Sequence, residues 1–328
     1  MSDRPLLPAR LAIGLFLLAG VALPLAAAVH ARVSGPRLHG EVVAIAGPAV
    51  VAQEAARRAN ALPEHPLDAR VIASGDDLSP DAAAARDQVA TGAASAAVVI
   101  DLREAGDTIL VADWLPDDVA DQLVADAGAV SASYGRTLRT ERVAPPHPTQ
   151  RRLPARVVAL LVAVGVVLAA AVTAWRGPVA ATMGRGAARL AGTAAAGCVV
   201  GALVVTLARP DRPLETALTC AVTVAVSAWL VLAAESVLGL AGLGLATGLL
   251  LGPVAPLLGG ADPAYLPSPW WEADRLAPQQ AALRLLRHDL MGIDVAEVRS
   301  WLLLLAWAAI AVLTLVAARQ ERPATRRP

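Results

Sequence analysis

Between Val157 and Leu258 the chain carries four apolar runs, roughly Val157 to Trp175, Leu190 to Ala208, Ala217 to Ala234 and Val237 to Leu258. Each is close to the ~20 residues that a helix needs to cross the hydrocarbon core of a bilayer. Lipid offers no partner to a free backbone group, so runs of this kind fold as helices packed on one another. Arginines gather between the first two runs (Arg176, Arg185, Arg189), and Glu235 is the one charge within the last two.

The rest of the chain is what this block holds on either side of a membrane. With 56% hydrophobic and 17% charged residues, the sequence is too apolar for an ordinary soluble domain and too charged to lie in lipid throughout. A net charge of zero and 3% aromatic content leave no basic, aromatic-studded face for nucleic acid. No lysine occurs, which removes the P-loop, Schiff-base chemistry and Ser-Lys dyads together, so any ATP must be bound by another chain. Cys198 and Cys220 both fall in predicted spans and read as small apolar packers.

Residues 1–29 form a short basic head and an apolar run, Leu11 to Val29, read as a signal anchor and first span; a signal peptide cut before Val29, after Ala26-Ala27-Ala28, is the alternative. Residues 30–155 have the grammar of a soluble domain. Strands are expected at Glu41 to Ala46, Arg70 to Ala73, Ala96 to Ile100, Thr108 to Ala112 and Thr137 to Val143. Helices are expected from Pro48 to Leu62, from Ser79-Pro80-Asp81 to about Thr91, and from Pro116 to about Tyr134-Gly135. The order βαβαββαβ predicts a small extracytoplasmic α/β domain, a mixed sheet covered by helices, between the first and second spans.

Residues 156–259 hold four spans, the last two joined by a tight turn that places Glu235 at the inner surface, hydrated. Residues 260–300 are read as an external segment in which Pro263, Pro267 and Pro269 break any helix and Trp270 and Trp271 anchor at the membrane interface. From Pro278 to about Met291, apolar Ala282, Leu285, Leu286 and Leu290 alternate with Arg284, Arg287 and Asp289, which predicts an amphipathic helix on the outer surface. Residues 301–328 give the last span, to Ala318, and a basic tail. The fold class is therefore an α-helical polytopic membrane protein of six spans with both termini cytoplasmic.

Few residues suggest chemistry. Gly244, Gly248 and Gly252 repeat every four residues, as do Gly197 and Gly201, the spacing at which helices in lipid approach closely; tight packing is the plain reading. Glu235 is a candidate ion relay because an ionisable group at membrane depth is costly to keep. Asp262, after Leu258-Gly-Gly-Ala, has no second acid within another span to share a proton, as an aspartyl protease requires. His30, His39, His65, His147 and His288 lack metal-ligand spacing and read as solvated surface. No catalytic, cofactor or metal residue emerges, and an enzyme is not expected.

Two regions resemble a known family. Gln88-Val-Ala-Thr-Gly92-Ala-Ala-Ser-Ala-Ala-Val-Val-Ile100, with Ile109-Leu-Val-Ala-Asp113 and Ser131-Ala-Ser-Tyr134-Gly135, resembles the external domain of ABC-2 type permease-like proteins. Pro263-Ala-Tyr-Leu-Pro267, Leu276-Ala-Pro278 and Ala281-Ala-Leu-Arg284 are similar to the proline-rich external segment of the same group, including its phage-infection-protein-like branch. The resemblance implies a homo- or heterodimeric membrane subunit of an export transporter in a bacterial plasma membrane, in contact with lipid, with no nucleic acid. It also implies a separate ATP-binding subunit docking on the loop with Arg176, Arg185 and Arg189. The alternative is a non-transport scaffold or receptor whose external domain binds a partner.

Overall fold

The computed structural model describes residues 37–64, 66–72, 82–146, 152–176, 183–259, 262–265, 270–293 and 297–320, with isolated positions 26, 29 and 33. The predicted first span, but for two of those positions, and the basic tail beyond Gln320 fall outside the described residues.

The polar insert is a five-stranded mixed sheet. Its elements are β1 (Glu41–Ala46), α1 (Ala49–Asn60), β2 (Leu67–Val71), α2 (Ala82–Ala90), β3 (Ala96–Val99), β4 (Gly106–Ala112), α3 (Asp117–Ala132) and β5 (Thr137–Val143), with spatial order β2-β1-β3-β4-β5. Only β3 and β4 run antiparallel, in the register Ala96 opposite Val111; β1 pairs in parallel with both β2 and β3. Crossovers between parallel strands are right-handed. β1 steps one way to β2 and β2 steps back past β1 to β3, so α1 and α2 take opposite faces. The β4-to-β5 crossover runs on strands of reversed direction and returns α3 to the α1 face. The expected βαβαββαβ order is observed. β2 begins at Leu67, three residues before the expected Arg70, because its pairing starts where Leu67 meets Glu41.

The membrane block comprises α4 (Leu153–Arg176), α5 (Met183–Ala208), α6 (Pro213–Leu238), α7 (Leu240–Leu251), α8 (Val254–Gly259), a 3-10 turn (Pro263–Tyr265), α9 (Trp270–Leu276), α10 (Pro278–Met291) and α11 (Glu297–Gln320). Among the described residues five helical stretches are long and apolar enough to cross a membrane: Leu153–Trp175, Gly184–Ala208, Pro213–Leu238, Leu240–Leu257 and Glu297–Ala318. This is a multi-pass membrane protein. α6 is the centre of the bundle, packed by α4, α5, α7, α10 and α11. It is 67% buried, whereas α11 is only 17% buried and turns most of its surface outward.

Two glycines make the α6–α7 hairpin. Gly239 alone joins the helices at φ 65° and ψ −145°, a conformation that costs a residue with a Cβ. Gly242 lies so close to the Ala234 carbonyl that a Cβ there has no room. The fourth of these stretches is interrupted at Gly252-Pro253, where α7 gives way to α8.

α10 corrects the sequence reading most strongly. The expected surface helix lies inside the bundle, against α4, α6 and α11, with Ala282, Leu283, Leu285 and Leu286 at most 1% exposed. The Trp307 indole donates to the Leu276 carbonyl at 2.7 Å. Trp307 is ten residues into α11, so the turn into α10 lies about 15 Å along that helix from its start. The other end of α10 returns to that start, with His288 Nε2 4.0 Å from Glu297. α9 and α10 thus form a re-entrant hairpin that enters the bundle from the domain side to mid-depth and leaves again. Its charged residues deceived the pattern because each finds a partner inside the protein: Arg287 meets Asp262, and Asp289 accepts from Thr219 Oγ1 at 3.2 Å.

Candidate functional site

The α/β domain and the membrane block meet in a buried polar joint. Arg287, near the end of α10, donates to Asp262 Oδ2 at 2.7 Å, and the pair is nearly shut off from solvent, 16% and 3% exposed. The Asp262 Oδ1 oxygen accepts from the Ala264 amide at 3.1 Å, starting the 3-10 turn that presents Tyr265. Tyr265 is 6% exposed and belongs to the hydrophobic core of the domain although it is more than a hundred residues away in sequence. Its hydroxyl hydrogen-bonds Glu41 at the start of β1, and its carbonyl accepts from the Arg37 amide at 2.7 Å. Ser95, before β3, donates to the same Glu41 carboxylate at 2.6 Å. The Arg287 guanidinium also sits over the Trp114 ring, 5.4 Å from its centroid, and Trp114 packs against the cores of both domain and bundle.

Among the described residues Glu41 and Asp262 share the Arg287 charge, and burial raises the Glu41 pKa; the Ser95 hydrogen bond opposes that rise and the Asp262 charge adds to it. Burial, with the neighbouring Glu41 and Asp262 charges, pushes the Tyr265 phenol well up, so it stays a donor. Glu41 can therefore take a proton without breaking the Arg287–Asp262 pair.

A second polar cluster lies within the spans, at the opposite end of the bundle. Glu235 is 1% exposed, a correction to its expected place in a hydrated turn: α6 continues to Leu238 and the turn is made by Gly239. Thr173 Oγ1 on α4 donates to Glu235 Oε2 at 2.5 Å, while Oε1 has no hydrogen-bond partner among the described residues. Arg189 on α5 acts electrostatically on Glu235 and is itself buried, 7% exposed. Arg189 thus lies on a helix inside the bundle, about two turns beyond the loop between α4 and α5 with which the sequence grouped it. Arg176 ends α4, Arg185 is exposed in the first turns of α5, and residues 177–182 between them lie outside the described residues.

The remaining singled-out residues are placed as follows. A Cβ at Gly197 would fall 2.6 Å from the Ala221 carbonyl oxygen, and one at Gly201 would strike that of Ala217, so both glycines set the α5–α6 approach. Gly244 and Gly248 are buried on α7 and Gly252 caps it. Trp270 opens α9. Trp271 stacks on His39 of the domain, ring centroids 4.5 Å apart, with Arg275 beside it, and so contacts protein where a free interface anchor was expected. His288, expected as solvated surface, is 15% exposed and accepts from Arg212 while Nδ1 donates to the Ile293 carbonyl at 2.9 Å. Among the described residues no cluster of His, Cys, Asp and Glu is arranged to hold a metal.

Glu41, Thr173, Tyr265 and Arg287 were not singled out as site residues from sequence, because their partners lie 25 to 224 positions away, on other elements whose packing no local pattern reveals. Comparison with protein-family models, with curated proteins and with solved structures finds no match.

Proposed function

We propose that this chain is the membrane subunit of an ABC-2 type export transporter, with the α/β domain external and a separate ATPase on the opposite side. The observation that carries the reading is the re-entrant α10, which starts at mid-depth among the spans and ends in the Arg287–Asp262–Tyr265 joint beneath the domain. A shift of the spans against one another must move α10, and α10 cannot move without the domain's β1 feeling it through Tyr265 and Glu41. A cavity of about 340 Å³ lies at the start of this helix, between Leu230 of α6, Leu249 of α7, Pro253, Gln279 and Trp307. Its apolar walls suit the hydrocarbon part of an amphiphile. The sequence supports the need for a partner, because a chain without lysine has no P-loop of its own.

The test is affinity purification of the tagged chain at native expression in mild detergent, with mass spectrometry of the co-purifying proteins. A stoichiometric nucleotide-binding ATPase is the expected result. Recovery of only external partners, by a chain that remains functional without any ATPase, would replace the transporter by a membrane-anchored receptor or scaffold.

A further inference from the structure

The α/β domain contains an unfilled space independent of the joint and of the bundle. α1 and α3 lie side by side on one face of the sheet, and the residues they turn inward are short: Ala55 and Ala59 from α1, Ala127 and Val130 from α3, over Ile45 and Val98 of the sheet. Helices and sheet pack about 10 Å apart, a gap that larger aliphatic side chains fill in most cores. Here a cavity of about 170 Å³ remains. Protein interiors otherwise approach crystal packing density, so a void of this size in a core of buried residues gives up contacts that a guest restores.

The walls define the guest. Asp107 and Arg136 are the only charged residues in the lining, and they satisfy each other: Arg136 Nε donates to Asp107 Oδ1 at 2.7 Å. Arg136 Nη2 further donates to the carbonyls of Asp101, Glu104 and Gly106 at 2.7, 3.1 and 3.1 Å. This fixes the 101–106 loop, holding Leu102 at the rim, and leaves the guanidinium committed to the protein instead of to an anionic ligand. A cavity of ~150 Å³ lined by apolar side chains alone stays dry and accepts one benzene; here the remaining wall is mostly apolar and the one charged pair is paired within it.

The cavity also has a door. Tyr134 and Leu102 line it while remaining 37% and 46% exposed, so they stand between the interior and solvent. Arg58 holds Tyr134 from outside, its guanidinium 4.1 Å from the ring centroid, and is itself held by Glu54 at 2.9 Å and Ser133 Oγ at 3.0 Å. These contacts are exposed and weak individually, and Tyr134 lies between the end of α3 and the start of β5, so the proposed way in is a rotation of its side chain.

We propose that the α/β domain is a receptor site for a small uncharged apolar ligand, about the size of one benzene ring, taken up between α1, α3 and the sheet behind Tyr134. The inference stands on the domain alone and holds whether or not the chain transports anything.

The chain has two tyrosines, Tyr134 at the door and Tyr265 in the joint, which gives an internally controlled test. The full chain is labelled with fluorotyrosine, placed in lipid nanodiscs and titrated with toluene under fluorine NMR, the resonances being assigned by Tyr134→Phe. The expected result is a saturable shift of the Tyr134 resonance with that of Tyr265 unmoved, and loss of the saturable shift in Ala55→Leu and in Val130→Phe, which occupy the space from opposite walls. A second measurement needs no variant: 1-methylnaphthalene, too large for the volume, leaves the Tyr134 resonance in place. A shift that grows linearly with toluene and affects both tyrosines overturns the proposal, as does a saturable shift that survives in folded filled variants or that the larger ring reproduces.

Discussion

Glu41 and Glu235 are both acids held by side-chain hydrogen bonds, Glu41 partly shielded in the joint and Glu235 buried within the spans. In the joint, the raised Glu41 pKa means that the folded state prefers the protonated carboxyl more than the unfolded chain does. The contribution is therefore fully present below the ordinary carboxylate pKa and is lost as pH rises through the raised folded value; a tenfold difference in proton affinity corresponds to about 1.4 kcal/mol. Glu41→Gln keeps an acceptor for Ser95 and Tyr265 but never ionises. Its thermal unfolding temperature is expected to match wild type in acid and to exceed it at neutral pH; a variant that matches wild type in acid but is less stable at neutral pH would show that ionised Glu41 stabilises the joint. Within the spans, Thr173→Val removes the hydrogen bond donated to Glu235 across the α4–α6 contact. An unsatisfied buried acceptor costs about 1–3 kcal/mol, so Thr173→Val is expected to lower the unfolding temperature in detergent. Glu235→Leu is expected to be worse than Glu235→Gln, because it leaves the Thr173 hydroxyl without the acceptor that a glutamine oxygen still offers.

Among the elements, those whose periodicity reflects their final environment were legible and those with compensated charges were not. β1 and β5 begin and end where the sequence placed them, because a short β-branched run between breakers has few other uses. The polar stripe of α10, by contrast, indicates water to any local reading, yet Arg287 and Asp289 are satisfied by Asp262 and Thr219 from distant segments. Pattern cannot show whether a charge meets solvent or a counter-charge. The glycines of α5 were legible by spacing alone, and the structure separates those with a neighbour from those without. Gly201→Ala puts a methyl into the Ala217 carbonyl and must force α5 and α6 apart, a strain of about 1–3 kcal/mol. Gly192→Ala, on the same helix with nothing within 4 Å, is expected to be neutral or stabilising by up to about 1 kcal/mol. Unfolding temperatures of the two variants side by side test this; equal changes in both would mean that the α5–α6 approach at Gly201 does not set the cost.

For the whole molecule, the question is whether domain and bundle behave as one cooperative body. They share no sheet or continuous helix among the described residues; Trp114, Tyr265, the Arg287–Asp262 pair and the Trp271–His39 stack are among the contacts that tie them together. Removing one member of a buried pair costs about 3–5 kcal/mol because the other charge is stranded, and Arg287→Ala strands Asp262 under the domain. Hydrogen exchange should then report faster opening of β1 and residues 262–265 with α6 protection unchanged, since α6 is held by four other helices independently of Arg287. Arg287→Met combined with Asp262→Asn keeps the side-chain volume and the hydrogen bond to the Ala264 amide while removing both charges, and is expected to recover most of the lost protection. If instead Arg287→Ala slows or speeds exchange equally in the sheet and in α6, the two cores unfold together through contacts other than this pair, and the joint is a packing surface with no separate mechanical role. If only the domain side loosens, α10 is the lever by which the spans and the domain sense each other, and the rigidity of that single salt bridge sets how much of a movement in one is delivered to the other.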